Sequence, residues 1–178
     1  MMKCLLRPVI AIAVASLLLF CLSFVFDTVA DKKALEEQEY VFSYLLIGSK
    51  SFEEEDYDGD DELIQRVFRG TNGYIVETKV PGYADDIVLW VGVRDSGYVS
   101  GITVRKMNET LGLGRKALYD VDYLKQYLKS DGGLVVGEDI EALTGATVTS
   151  KAITKAVNSA VGFVTGADVV SSATEWGV

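Results

Sequence analysis

The feature that most limits this chain is a run of 19 residues, positions 8–26 (PVIAIAVASLLLFCLSFVF), without a single charge. As a helix rising about 1.5 Å per residue it covers about 28 Å, the depth of a bilayer's hydrocarbon core. The run reads as a transmembrane helix. Lys3 and Arg7 precede it and Asp27 and Asp31 follow, so the positive-inside rule assigns residues 1–7 to the cytoplasm and everything after the span to the other side. This describes a single-pass protein of the cell inner membrane with an extracytoplasmic C-terminal domain. A cleaved signal peptide is the competing reading, because Thr28-Val29-Ala30 loosely matches a cleavage site. The apolar run, however, exceeds the ~7–15 residues of a usual signal core.

Residue types narrow the chemistry. The chain has no histidine, which excludes Ser-His-Asp and Cys-His catalysis, His-ligated zinc and c-type haem attachment. Its two cysteines, Cys4 and Cys21, both fall in or beside the apolar run. They cannot supply the four thiolates of an iron–sulfur or zinc site, and no metal site is expected. Any redox or group-transfer chemistry therefore needs a borrowed organic cofactor, and no residue is assigned a catalytic role. Of the 17 Lys+Arg residues only Lys3 and Arg7 lie in the first 26 positions, which hold no acid, so the remainder carries a net charge of −11. Such a surface repels nucleic acid and anionic headgroups.

The outer part divides by pattern. Residues 31–46 (DKKALEEQEYVFSYLL) combine helix formers with an apolar end, a helix that lands on the following domain. Residues 51–62 (SFEEEDYDGDDE) read as an acidic, solvated loop. Asp56, Asp58 and Asp60 have the spacing of calcium-loop positions 1, 3 and 5, but Asp61 stands where the glycine belongs and Val67 where the bidentate glutamate belongs. Residues 74–80, 87–93 and 98–107 are β-branched or aromatic runs, with Arg94-Asp95-Ser96-Gly97 as a hairpin turn. Residues 120–129 predict a helix with Val121, Leu124 and Leu128 on its apolar face. Residues 149–164 predict another, with Ile153, Val157, Ala160, Val161 and Val164 on one face and Thr149 or Ser150 as N-cap. Strands and helices segregate, which gives an α+β class. The expected organisation is a cytoplasmic N-terminus at 1–7, a span at 8–26, a connecting helix and acidic loop at 27–69, and a small antiparallel-sheet domain with flanking helices at 70–178.

Two polar loops remain. The first is Asn108-Glu109-Thr110-Leu111-Gly112-Leu113-Gly114-Arg115-Lys116. Its Gly112-x-Gly114-x-x-Ala117 matches a dinucleotide-binding fingerprint, but the preceding strand belongs to a hairpin sheet and no βαβ unit follows. The second, Glu141 to Ser150 (EALTGATVTS), stands directly ahead of the last helix. Small residues and threonine hydroxyls at a helix N-terminus suit a phosphate. Equally, Thr144, Thr149 and Ser150 can compete as caps around a Gly145-Ala146 turn. Residue chemistry alone leaves both readings open.

The order Thr144-Gly145-Ala146-Thr147-x-Thr149-Ser150, with an acid three residues earlier, resembles the flavinylation motif of the FMN-binding domain family. That family includes the G subunit of the Rnf electron-transport complex and the C subunit of the sodium-pumping NADH:quinone oxidoreductase. Glu109-Thr110-Leu111-Gly112-Leu113-Gly114 is similar to the family's Glu-Thr-Pro-Gly-Leu-Gly loop, and Gly82-Tyr83 followed by residues 87–93 is similar to its glycine-led strand. The likeness covers roughly residues 70–165, and the short chain is closer to the Rnf member. Two positions depart from the pattern: Glu141 replaces an aspartate and Leu111 a proline. Leu111 loosens a backbone that proline would hold near φ −65°.

The resemblance implies a covalent FMN. In the family a flavin transferase esterifies the FMN phosphate to the last threonine of the motif, here Thr147. Thr144, Gly145, Ala146, Thr149 and Ser150 would then surround the phosphate, and Glu109, Thr110, Leu111, Gly112, Leu113 and Gly114 would border the ring or ribityl chain. The implied role is an electron-transfer subunit, not an independent enzyme, working with other membrane subunits of an Rnf-type ferredoxin:NAD oxidoreductase coupled to Na+ or H+ translocation. A role like that of the quinone-reductase member, a stand-alone flavin shuttle and a noncatalytic structural subunit are the alternatives.

Overall fold

A computed structural model of the chain describes residues 32–108 and 120–167, with positions 16, 17 and 20. The expected cytoplasmic N-terminus at 1–7, most of the 8–26 span and the 109–116 loop lie outside the described residues. Among the described residues no helix is long and apolar enough to cross a membrane. The chain divides into two compact units, Met1–Tyr40 and Val41–Val178. In the first, residues 32–40 are helical; the second opens with helical residues 41–45.

Five strands form one antiparallel sheet in sequential order: β1 (Phe52–Glu55), β2 (Ile64–Gly70), β3 (Gly73–Pro81), β4 (Asp86–Arg94) and β5 (Val99–Lys106). Two helices follow, α1 (Val121–Lys125) and α2 (Thr147–Thr165). The strands read from residues 74–80, 87–93 and 98–107 are β3, β4 and β5 within a residue or so at each end. Gly97, at φ +85°, supplies the left-handed residue that the β4–β5 turn requires.

The sheet is covered on both faces. Val76, Val80, Ile87, Leu89, Val91 and Val93 point to a core shared with Ile153, Val157, Ala160 and Val161 of α2. Phe68, Ile75 and Trp90 point the other way, onto Phe42, Leu45 and Leu46. Two-sided burial explains why residues 87–93 read as an unbroken apolar run and not an alternating one. On this second face Gly92 pairs with Gly101, and a Cβ on Gly92 would come within 2.4 Å of the Leu45 carbonyl oxygen. Bare glycine backbone therefore lets the 41–46 segment sit directly on the strands. The Ser100 hydroxyl fixes it there by donating to the Leu45 carbonyl at 2.5 Å.

The structure corrects three expectations. The acidic segment at 51–62 contains a strand, β1, and β2 also precedes residue 70, so the sheet begins well upstream of the boundary drawn there. Two contacts recruit β1: Phe52 packs edge-on against Phe42, with ring centroids 5.2 Å apart, and Glu54 takes a two-pronged bond from Arg66 at 2.6 and 2.7 Å. The Arg66 hydrogen bond holds the Glu54 carboxyl below the usual carboxylate range. Second, of Val121, Leu124 and Leu128 only Leu124 packs against the core. Val121 and Leu128 are exposed, and Tyr123 and Tyr127 are buried in their place. Third, α2 starts at Thr147, with Ala146 as N-cap, and Thr149 and Ser150 are buried inside its first turns. Neither is a cap.

Candidate functional site

The loop ahead of α2 is shaped by four consecutive residues with different tasks. Ala146 N–H donates to the Leu143 carbonyl at 2.8 Å and closes a turn. Gly145 stands at φ +78°, a conformation that a side chain would strain. The Ala146 side chain is buried while Thr144, Gly145 and Thr147 are exposed. Thr147, the first residue of α2, is thus exposed at the start of a 19-residue helix. Ala146 makes no side-chain capping bond and the first turn carries no acid. Such an end offers positive partial charge to an anion.

Thr149 and Ser150 are placed differently from Thr147. Both side chains are buried, and the Ser150 Oγ accepts from the Leu143 N–H at 3.4 Å. Any part they take toward a phosphate would come from the backbone. The residues Glu109, Thr110, Leu111, Gly112, Leu113 and Gly114 lie outside the described residues.

Beside the loop opens a cleft of about 480 Å³, lined by Asp120, Asp122, Tyr123 and Gln126 and by Glu141, Ala142, Leu143 and Thr144. Asp120 forms one edge because its carboxylate caps α1, accepting from the Asp122 and Tyr123 amides at 3.1 and 3.2 Å. Gln126 ties α1 to the loop: its Oε1 accepts from the Glu141 N–H at 2.8 Å and its Nε2 donates to the Glu141 carbonyl at 3.5 Å. The Tyr123 and Tyr127 hydroxyls are 2.6 Å apart beneath the cleft wall, and Tyr127 reaches the Thr154 hydroxyl at 3.0 Å. Burial pushes both phenols above their ordinary range. Among the described residues no group of three or more Cys, Asp or Glu could hold a metal ion.

Residue patterning missed Tyr123, Gln126 and Tyr127. The available signal was two tyrosines four apart, which share a helix face.

Comparison with known proteins meets this geometry. Residues 82–162, from the β3–β4 turn through most of α2, match the FMN-binding domain family. Fold and match together make residues 82–162 similar to an FMN-binding domain. Within that class the chain is similar to the G subunits of ion-translocating oxidoreductase complexes. It is 37% identical over 114 residues to the G subunit of the Na(+)-translocating ferredoxin:NAD(+) oxidoreductase complex of Acetobacterium woodii, covering 57% of this chain and 55% of the relative. It is 40% identical over 102 residues to the G subunit of the proton-translocating ferredoxin:NAD(+) oxidoreductase complex of Clostridium ljungdahlii, with 53% and 55% covered. The G subunit of the ion-translocating oxidoreductase complex of Methanosarcina acetivorans shares 28% over 147 residues, 72% and 76% of the two chains. The chain thus spans just over half the length of the first two relatives.

Proposed function

We propose that this chain is a membrane-anchored flavoprotein subunit that relays electrons within an Rnf-type ferredoxin:NAD oxidoreductase coupled to Na+ or H+ translocation, with FMN held as a phosphodiester on Thr147. The observation that carries the reading is the exposed Thr147 at the first position of α2, inside the segment that matches the FMN-binding domain family. The residues fit the group. The N-cap makes no side-chain capping bond and the first turn is free of acids, which favours a phosphodiester anion. The cleft lined by Tyr123, Leu143 and Thr144 opens beside the loop that carries Thr147.

Bound FMN supplies the electron-carrying chemistry. The protein supplies attachment at Thr147 Oγ1, a helix end for the phosphate and a cleft wall for the ring. By the resemblance, Glu109, Thr110 and residues 111–114 would contribute to holding the flavin. Partners are the other membrane subunits and, during maturation, a flavin transferase. Lys3 and Arg7 ahead of the uncharged 8–26 run support the anchor and an extracytoplasmic domain.

The test is co-expression of the full chain with a flavin transferase, followed by in-gel fluorescence after denaturation and intact mass. Wild type should gain one FMN phosphoryl adduct, and Thr147→Ala should gain none while remaining folded. A denatured Thr147→Ala band as fluorescent as wild type overturns the assignment. An unmodified wild-type chain indicates a structural subunit, and a flavinylated chain that purifies without polytopic partners indicates a stand-alone shuttle.

A further inference from the structure

Four polar contacts beneath the cleft close into a ring, and a fifth joins Leu143 to it. The Leu143 N–H reaches Ser150 Oγ at 3.4 Å, and the Ser150 hydroxyl is bonded to the Tyr123 phenol. Tyr123 meets Tyr127 at 2.6 Å, Tyr127 meets Thr154 Oγ1 at 3.0 Å, and Thr154 donates to the Ser150 carbonyl at 2.9 Å. Each hydroxyl owns one proton, so one assignment satisfies every contact. The Thr154 proton is committed to a carbonyl, which cannot donate. Tyr127 must then donate to Thr154, Tyr123 to Tyr127 and Ser150 to Tyr123. The chain of donors begins at the Leu143 amide and ends on the carbonyl of Ser150. Because it ends on a carbonyl and all its hydroxyls belong to buried side chains, it holds shape and does not pass protons.

Its two backbone anchors are the ends of the loop that carries Thr147. Tyr123 and Leu143 are also lining residues of the cleft. We infer that the Tyr123–Tyr127–Thr154 ring is a positioning network that fixes loop 143–150 and one cleft wall in a single arrangement. On the reading of Thr147 as the attachment point, on which this part of the inference rests, the ring presents that hydroxyl in the orientation that covalent flavin attachment requires. Tyr123, Tyr127 and Thr154 are positioning residues; none is the acceptor.

Position 154 separates this role from a simple contribution to packing. Thr154→Val keeps the buried volume and removes the ring's hydroxyl, whereas Thr154→Ser keeps the hydroxyl and removes a methyl. In the full chain, deuterium uptake by amides in 143–150 should rise about tenfold in Thr154→Val, as the loss of one net hydrogen bond predicts. It should stay near wild type in Thr154→Ser. The initial rate of flavin attachment by the co-expressed transferase should follow the same order, and bound flavin in Thr154→Val should show lower fluorescence anisotropy. Equal uptake in the two variants, or greater uptake in Thr154→Ser, overturns the ring. Greater uptake in Thr154→Val with attachment at the wild-type rate overturns its role in presenting Thr147. Absence of flavin from wild type itself counts against the attachment reading alone, since the exchange measurement decides the ring without flavin.

Discussion

Thr78 carries a fully buried hydroxyl without a hydrogen-bond partner among the described residues. It sits on β3 between Val76 and Val80, paired with Ile64 and Leu89, all four of which belong to the core shared with α2. An unpaired buried hydroxyl costs free energy that a methyl would not. Thr78→Val should therefore raise stability by about 1 kcal/mol, read as a higher urea midpoint with an unchanged slope. The two buried tyrosines make the opposite case, since their hydroxyls are satisfied. Both keep their protons in the fold beyond the pH near 10.0 at which a tyrosine ordinarily titrates, chiefly because burial disfavours the phenolate. As pH rises past that point the unfolded chain releases these protons and the folded chain retains them. Their contribution to stability is complete below pH 10.0 and is lost above it. Urea midpoints measured through this range should fall, and fall less steeply in Tyr127→Phe than in wild type.

At the scale of elements, α2 shows what pattern can and cannot reveal. Ile153, Val157, Ala160, Val161 and Val164 at helical spacing mark the face that meets the sheet, and all five join that core. Five polar residues, Thr149, Ser150, Thr154, Asn158 and Ser159, fall within or outside the edges of this stripe, and their side chains would ordinarily be turned toward solvent. The structure buries all five, and distant segments bring matching polar atoms to Thr154, Asn158 and Ser159. Asn158 accepts from the Leu134 N–H at 3.0 Å and donates to its carbonyl at 2.9 Å, and Ser159 donates to Asp61 at 2.5 Å. Such pairings join residues 24 and 98 positions apart, and periodicity carries no trace of them. The same holds for β1, which Phe42 and Arg66 recruit from other segments, and for Tyr127, whose hydroxyl reaches Thr154 on α2. The Thr144-to-Ser150 motif was legible because it is local, and the turn chemistry of Gly145 could be read in place. Which of its residues are exposed was not legible, since that depends on where α2 begins. Asn158→Leu tests the argument. It should strand both backbone groups of Leu134 and lower stability by about 2–4 kcal/mol in denaturant unfolding, although it adds apolar surface to a buried site.

For the whole molecule, the decisive property is the poverty of redox ligands. The sequence has no histidine, and its cysteines stand at positions 4 and 21 only, so from residue 27 onward the side chains favour a bound organic cofactor over a haem or an iron–sulfur cluster. A flavin on Thr147 would then exchange electrons with centres held by other polypeptides. Direct hydride transfer from NADH is the competing route, and it needs a seat for the nicotinamide dinucleotide. The Gly112-x-Gly114-x-x-Ala117 pattern follows β5, a strand paired antiparallel to β4 in a sequential five-strand sheet. The phosphate-binding turn of a dinucleotide fold follows a strand of a parallel βαβ unit instead. Electrostatics point the same way, because the part after residue 26 carries a net charge of −11 and repels an anionic dinucleotide. The purified, flavinylated chain should therefore remain oxidised when mixed with NADH under anaerobic conditions, and its flavin absorbance should bleach with NADH only when the other subunits are restored. Rapid, stoichiometric bleaching of the isolated chain by NADH would show that it takes hydride itself, and the relay reading would fall.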